Sequence, residues 1–114
     1  MSVKQCLVLP IFYHQEWGTF DAFCARVAAI GYSAIEVMAG VQNLEGIVST
    51  ADKHGIKVAS MVGHDSLPDG LNKVENHDRI ERELRASIDQ AADLGIPSMI
   101  CFSGNRNPGQ SDYE

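Results

Sequence analysis

Three segments of the chain share one order of polar and apolar residues. They read AAIGYSAIEVM (28–38), DKHGIKVASMV (52–62) and ADLGIPSMICF (92–102). In each, a helix-like run is followed by a glycine, one large apolar residue and an apolar run rich in β-formers. A glycine at that point can end a helix in the left-handed conformation. A run that is apolar on both faces is typical of a parallel strand covered on two sides. The pattern therefore predicts a repeated helix–turn–strand junction.

Helical periodicity lies between these junctions. We predict three helices, at residues 19–30, 44–54 and 78–94. Thr19 and Asn43 stand where N-caps are expected for the first two. In the third, Asp78 and Glu81 are spaced like the start of a capping box.

Strands at 4–9, 33–38, 56–62 and 98–102 complete the pattern. Strict alternation of strands and helices with right-handed crossovers predicts an α/β fold with a parallel sheet. Ser111 and Glu114 repeat the capping-box spacing, which predicts the opening of a fourth helix. We therefore expect the chain to be the N-terminal part of a longer protein.

Composition narrows the classes of partner. The 114 residues carry 15 acidic and nine basic side chains, for a formal charge of −6. Such a chain repels a phosphate backbone, so we expect no nucleic-acid partner. No apolar stretch is long enough for a membrane span. The three cysteines are distant from one another and form no CxxC pair, which favours reduced thiols and a cytoplasmic protein.

Parallel β/α folds place their sites at the carboxyl ends of the strands. Glu36 lies in the second strand, on the face opposite Ile35 and Val37. An unpaired carboxylate there needs a donor, a cation or a ligand. A structural ion pair, or solvation near the strand end, is the alternative.

Polar side chains follow the other three strands. His64 opens the longest loop and could bind a hydroxyl, a metal or a proton; a loop histidine bonded to backbone is the alternative. Ser103, Asn105 and Arg106 suit a sugar hydroxyl or a carboxylate, or they form only a polar turn. His14 follows the first strand, and a functional and a purely structural role are equally open for it.

Several segments resemble a known superfamily. GYSAIEVM, KVASMVGHDSLPDGLN, ENHDRIERELRASIDQAADLGIPSMICFSGNR and GQSDYE are similar to the xylose-isomerase-like TIM barrels, in particular the hydroxypyruvate isomerase and sugar isomerase/epimerase branch. The resemblance implies a (β/α)₈ barrel of roughly 250 residues, of which residues 1–114 would supply strands 1–4 and stop as helix 4 begins.

The resemblance also implies an activity. Members interconvert an aldose and a ketose through an enediol, often with a divalent metal (Mg, Mn or Zn) that polarises the carbonyl oxygens. Glu36 and His64 match pocket-lining residues of the family, and Ser103, Asn105 and Arg106 would shape the same cavity. The family's catalytic glutamates and most metal ligands lie in the second half of the barrel. No metal ligand can be assigned in this sequence, and we expect the isolated chain to be inactive.

The oligomeric state and two functions other than isomerisation remain open at the sequence level. Open edges on strands 1 and 4 favour a homo-oligomer or aggregation of the isolated chain. A half-barrel that binds a small polyol or sugar acid without turnover is the second function considered. A relative of the superfamily's abasic-site endonucleases is the third, and the acidic charge disfavours it.

Overall fold

The computed structural model describes residues 3–109 and 111. Its elements are β1 (Cys6–Val8), α1 (Leu9–Phe12), α2 (Phe20–Ile30), β2 (Ala34–Val37), α3 (Leu44–Lys53), β3 (Lys57–Val62), α4 (His77–Asp93) and β4 (Met99–Ile100), with 3₁₀ turns at Gln15–Trp17 and Val74–Asn76. The four strands form one parallel sheet in the order β1-β2-β3-β4. The predicted α/β alternation is confirmed. The fourth helix predicted from Ser111 and Glu114 falls largely on residues outside those described.

The three predicted junctions share one hydrogen-bonding pattern. Gly31, Gly55 and Gly95 have φ of 107°, 73° and 69°, values that only glycine adopts without strain. In each, the residue after the glycine donates its N–H to a carbonyl five residues earlier in the helix, at 3.2, 3.0 and 2.8 Å. This is the Schellman arrangement, which satisfies the last helical carbonyls. It turns each helix directly into the next strand.

Helix starts agree with the sequence in two of three cases. The Thr19 hydroxyl accepts the Ala22 N–H and the Asn43 side chain accepts the Gly46 N–H, both at 3.2 Å. The third helix begins at His77 and its N-cap makes no side-chain bond, so the Asp78–Glu81 capping box does not form.

All four strands are shorter than predicted, and β1 and β4 differ most from the prediction. β1 ends at Val8 because Leu9 begins a one-turn helix with Pro10 in its first turn, a position that suits proline. β4 spans only Met99–Ile100. Beyond it, the Phe102 N–H donates to a histidine side chain instead of a strand.

The two faces of β2 have different surroundings. Ile35 and Val37 are fully buried and belong to a core that includes Cys24 and Val27 of α2 and Ala51 of α3. By strand alternation, Glu36 lies on the opposite face, which we call the interior face. A register shift between Ile35 and Glu36 sets Glu36 opposite Ser60 of β3. The predicted orientation of Glu36 is thus the observed one.

Within residues 3–109 and 111, no helix combines the length and the apolar character that crossing a bilayer requires.

Candidate functional site

The carboxyl ends of all four strands lie along one edge of the sheet, because the strands are parallel. Glu36 is the penultimate residue of β2, and His64 comes two residues after β3. The remaining sequence-predicted site residues lie in the loops that follow β1 and β4: His14, Ser103, Asn105 and Arg106. The topology therefore places all six at or beyond the same edge.

Glu36 is half-buried on the interior face, and no hydrogen bond or ion pair engages its carboxylate within the described part of the chain. Its strand neighbours are Val8 on one side and Ser60 on the other. The carboxylate is close enough to influence Cys6 of β1. Burial, and then the charge of Glu36, raise the pKa of the Cys6 thiol. A lone carboxylate of this kind can accept hydrogen bonds from a ligand.

Ser60 is a second unpartnered group on this face, and sequence reasoning missed it. The residue is only 6% exposed, and its hydroxyl has no hydrogen-bond partner among residues 3–109 and 111. Most buried hydroxyls are hydrogen-bonded, so an orphaned one marks a place where a polar partner would be favourable. The register shift that sets Ser60 opposite Glu36 has no sequence signal that we recognised.

His64 is 1% exposed, and both of its ring nitrogens are bonded to backbone. Nδ1 lies 2.9 Å from the carbonyl oxygen of Asp65, and Nε2 accepts the N–H of Phe102 at 2.9 Å. A carbonyl only accepts and an N–H only donates. The ring is therefore the neutral Nδ1–H tautomer. Substrate binding by His64 stays a prediction, and it would require one of these two bonds to open.

The loops after β3 and β4 are joined by hydrogen bonds, and we call residues 63–72 and 102–105 together the rim. Backbone N–H groups of Leu71, Asn72 and Asn105 donate to Phe102, Ser103 and Pro68 at 3.2, 2.8 and 3.0 Å. The Asn72 amide nitrogen also donates to the Asn105 carbonyl at 2.6 Å, while its amide oxygen is buried without a partner among the described residues. These bonds bring Ser103 and Asn105 next to the His64 loop.

Gly70 makes the rim possible. It is buried against the other loop, and a Cβ at this position would overlap the backbone of Phe102, Ser103 and Gly104. Gly70 is the last residue of the segment LPDG (67–70). The close approach of a second loop could not be predicted from it.

His14 and Arg106 are both exposed. The ring of His14 packs edge-on against Trp17, with centroids 4.7 Å apart. The structure therefore joins His64, Ser103 and Asn105 in one bonded unit, with Glu36 on the interior face beside it and His14 on a separate loop.

Two further groups have shifted pKa values. A hydrogen bond and the charge of Lys73 lower the pKa of the exposed Asp69 carboxyl. Burial, and then the charge of Asp21, raise the pKa of the Cys24 thiol to about 11. Neither group lies on the interior face. These two pKa shifts therefore concern the structure around the site and not the groups that would contact a ligand.

The donor set does not fit a divalent metal. No three His, Cys, Asp or Glu side chains of residues 3–109 and 111 come together as ligands. Both nitrogens of His64 are already engaged. A metal with nitrogen or oxygen ligands needs several such donors.

Two grooves open near the carboxyl edge. One of about 500 Å³ is lined mainly by apolar side chains of α1, α2, β2 and α3, and none of the predicted site residues takes part. Another, of about 520 Å³, has His64, Asp65 and Glu83 in its wall.

The overall arrangement matches a solved structure. It is similar to the crystal structure of D-psicose 3-epimerase in the presence of D-fructose, with a TM-score of 0.59 and 19% sequence identity. The match covers 85% of this chain and 36% of that one, so this chain spans little more than a third of the enzyme's length. The fold is that of half a TIM barrel. No protein-family model matches the sequence, and no curated protein does.

Proposed function

We propose that this chain forms the β1–β4 wall of the substrate cavity in a sugar isomerase or epimerase. Support comes from the half-barrel fold and its similarity to an epimerase crystallised with a ketose. The single observation that carries the proposal is Glu36, a half-buried carboxylate near the carboxyl end of β2 with no protein partner in the described structure. Its position suits a ligand hydroxyl.

The proposed substrates are hydroxy-carbonyl compounds, either a ketose or a smaller compound such as hydroxypyruvate. Interconversion through an enediol moves a proton between adjacent carbons, which needs positioned acids and bases. Glu36 would accept hydrogen bonds from substrate hydroxyls, and Ser60 would offer a hydroxyl beside it. The acids that move the proton, and the ligands of any divalent metal, would come from residues outside this sequence.

Cys6 provides a test, because its thiol is exposed and senses the charge of Glu36. D-fructose, D-psicose and hydroxypyruvate would each be added in turn, and the alkylation rate of each cysteine followed by peptide mass spectrometry. We expect at least one compound to slow alkylation of Cys6 and leave Cys101, also exposed, unaffected. Product formation would be followed by chromatography in the same samples.

The matched variants are Glu36→Gln and Glu45→Gln. Glu45 is exposed in the first turn of α3, away from the interior face. The alkylation rate of Cys6 is compared with and without ligand within each variant, because the Glu36→Gln substitution by itself changes that rate. We expect protection to be lost in Glu36→Gln and kept in Glu45→Gln. Equal protection in both variants, or none in the wild type, would overturn the proposal.

Binding without turnover is the second candidate. It is favoured by the single unpartnered carboxylate identified on the interior face and by the lack of a three-ligand cluster among the described residues. Protection of Cys6 with no product would support it for the isolated chain.

We also propose that the isolated chain self-associates through a second copy. Within the described residues, β1 pairs only with β2 and β4 only with β3, so both edges present unpaired backbone groups. Sedimentation of the purified chain at several concentrations would show a mass that rises with concentration; a monomer throughout would contradict this.

A further inference from the structure

Helix α4 carries two Arg–Glu pairs, each four residues apart, in different surroundings. Arg85 and Glu81 are exposed, at 76% and 62%, and their shortest contact is 2.8 Å. Arg79 and Glu83 have exposures of only 31% and 33%, with a contact of 3.0 Å. An exposed pair of this spacing contributes little to stability. The partly buried pair contacts a loop, and its role differs.

The Arg79–Glu83 pair binds both backbone polar groups of one residue, Asp65. Arg79 Nη1 donates to both Glu83 oxygens, at 3.1 and 3.0 Å, and to the carbonyl oxygen of Asp65 at 3.2 Å. Glu83 Oε2 accepts the N–H of Asp65 at 2.8 Å. The other arm of Arg79, Nη2, donates to the Asp69 carbonyl at 2.8 Å. Both ends of the β3–α4 loop's first turn are therefore held by one ion pair.

The Asp65 carbonyl has a second donor, the Nδ1–H of His64, at 2.9 Å. From there the chain of bonds continues through Nε2 to the Phe102 N–H beyond β4. The tautomer of His64 is thus set by a carbonyl that the guanidinium holds in place. Displacing that carbonyl would remove the acceptor for Nδ1–H and allow the proton to move to Nε2. An Nε2–H would then oppose the Phe102 N–H, donor against donor.

We propose that Arg79 and Glu83 are positioning residues that fix the tautomer of His64 and, through it, the spacing of the two rim loops. Arginine is required at 79 because one planar guanidinium reaches four acceptor oxygens on three residues, which a lysine point charge cannot match. The inference rests on the proposed function only for the idea that the rim borders a ligand cavity. The network itself is testable without any ligand.

The experiment is NMR of the whole chain with ¹⁵N-labelled histidine, which distinguishes a protonated from an unprotonated ring nitrogen. In the wild type at neutral pH we expect His64 to show Nδ1–H alone. A His64 signal from Nε2–H in the wild type would overturn the proposal with no variant needed. Since the tautomer of His64 is measured without any ligand, failure of the proposed function would leave this result unchanged.

The variants are Arg79→Gln, Arg79→Lys and Glu83→Gln, with Arg85→Gln as the matched control on the same helix. We expect a mixture of tautomers in all three and amide exchange at Phe102 faster by about tenfold, as for loss of one hydrogen bond. Arg85→Gln should retain the wild-type signals. Glu83→Gln keeps the side-chain shape, so it serves if an Arg79 variant fails to fold. Wild-type signals in both Arg79→Lys and Glu83→Gln would refute the assignment.

Discussion

The rim and the interior face handle polar groups in different ways. At the rim, His64 uses both ring nitrogens and the two loops exchange backbone bonds, and the Asn72 amide oxygen is the exception, with no partner among the described residues. On the interior face, the Ser60 hydroxyl is buried with no partner among the described residues, and the half-buried Glu36 carboxylate makes no hydrogen bond or ion pair with them. Since buried polar groups are normally satisfied, bonded ones build the frame and unbonded ones mark where a ligand would fit. The Gly70, Ser60 and Glu36 variants described below test this difference between the two regions.

The largest effect is expected from Gly70→Ala at the rim. The added methyl would overlap backbone atoms of the facing loop, which cannot rotate away as a side chain would. We expect a loss of about 3 kcal/mol in the free energy of unfolding, measured by urea denaturation. Gly40→Ala is the control. It has φ of 68° with open space around its Cβ, so only the backbone cost of about 1–2 kcal/mol should appear. Equal losses in the two variants would show that the rim is not tightly packed.

An opposite sign is expected for Ser60→Ala on the interior face. Removing a buried hydroxyl with no partner relieves a desolvation penalty, so the variant should gain about 1 kcal/mol in stability. The same change should weaken ligand protection of Cys6, if Ser60 serves the ligand.

Ser87→Ala is the matched control for this prediction. The Ser87 hydroxyl donates to the Gly63 carbonyl at 2.8 Å, so its loss should cost about 1 kcal/mol. Both serines would be compared by thermal and urea unfolding. A destabilised Ser60→Ala variant would mean that its hydroxyl is satisfied in solution and is not poised for a ligand.

Local patterns in the sequence were enough to predict the parallel sheet and which residues lie at its carboxyl edge. The glycine junctions, the Thr19 and Asn43 caps and the orientation of Glu36 all depend on residues close together in the chain, and these predictions are confirmed. The capping box at Asp78 was wrong because the helix begins one residue earlier, at His77.

What the sequence could not predict depends on distant contacts. The bonding of His64 requires Phe102, 38 residues later, and the tautomer requires Arg79 on another element. The importance of Gly70 appears only when the second loop lies against it. The spacing of Arg79 and Glu83 fits an ordinary surface pair, and nothing local to α4 separates it from the exposed Arg85–Glu81 pair.

The smallest effect concerns the thiols, which report on the core and the interior face together. Burial raises the pKa of the Cys24 thiol from 9.0 to about 11, so the folded protein disfavours its thiolate. Because the pKa is higher in the folded protein, the stabilisation linked to the protonated Cys24 thiol is fully present below pH 9 and is lost as the pH rises toward 11. Cys24→Ala should remove that part of the alkaline destabilisation, measured by urea unfolding at pH 8, 9 and 10.

The same shift sets an order of reactivity at pH 8. Because the thiolate is the nucleophile, Cys24 should react only after unfolding, while the exposed Cys101 reacts first. Cys6 is an exposed residue, but partial burial of its thiol and the charge of Glu36 raise the pKa of that thiol. Cys6 should therefore be alkylated more slowly than Cys101. Glu36→Gln should raise the alkylation rate of Cys6 and leave the alkylation rate of Cys101 unchanged, as followed by peptide mass spectrometry. Only part of the gap should close, because burial is the larger cause. An unchanged rate at Cys6 would mean that the Glu36 carboxylate does not face β1 in solution, and the interior-face site would lose its central residue.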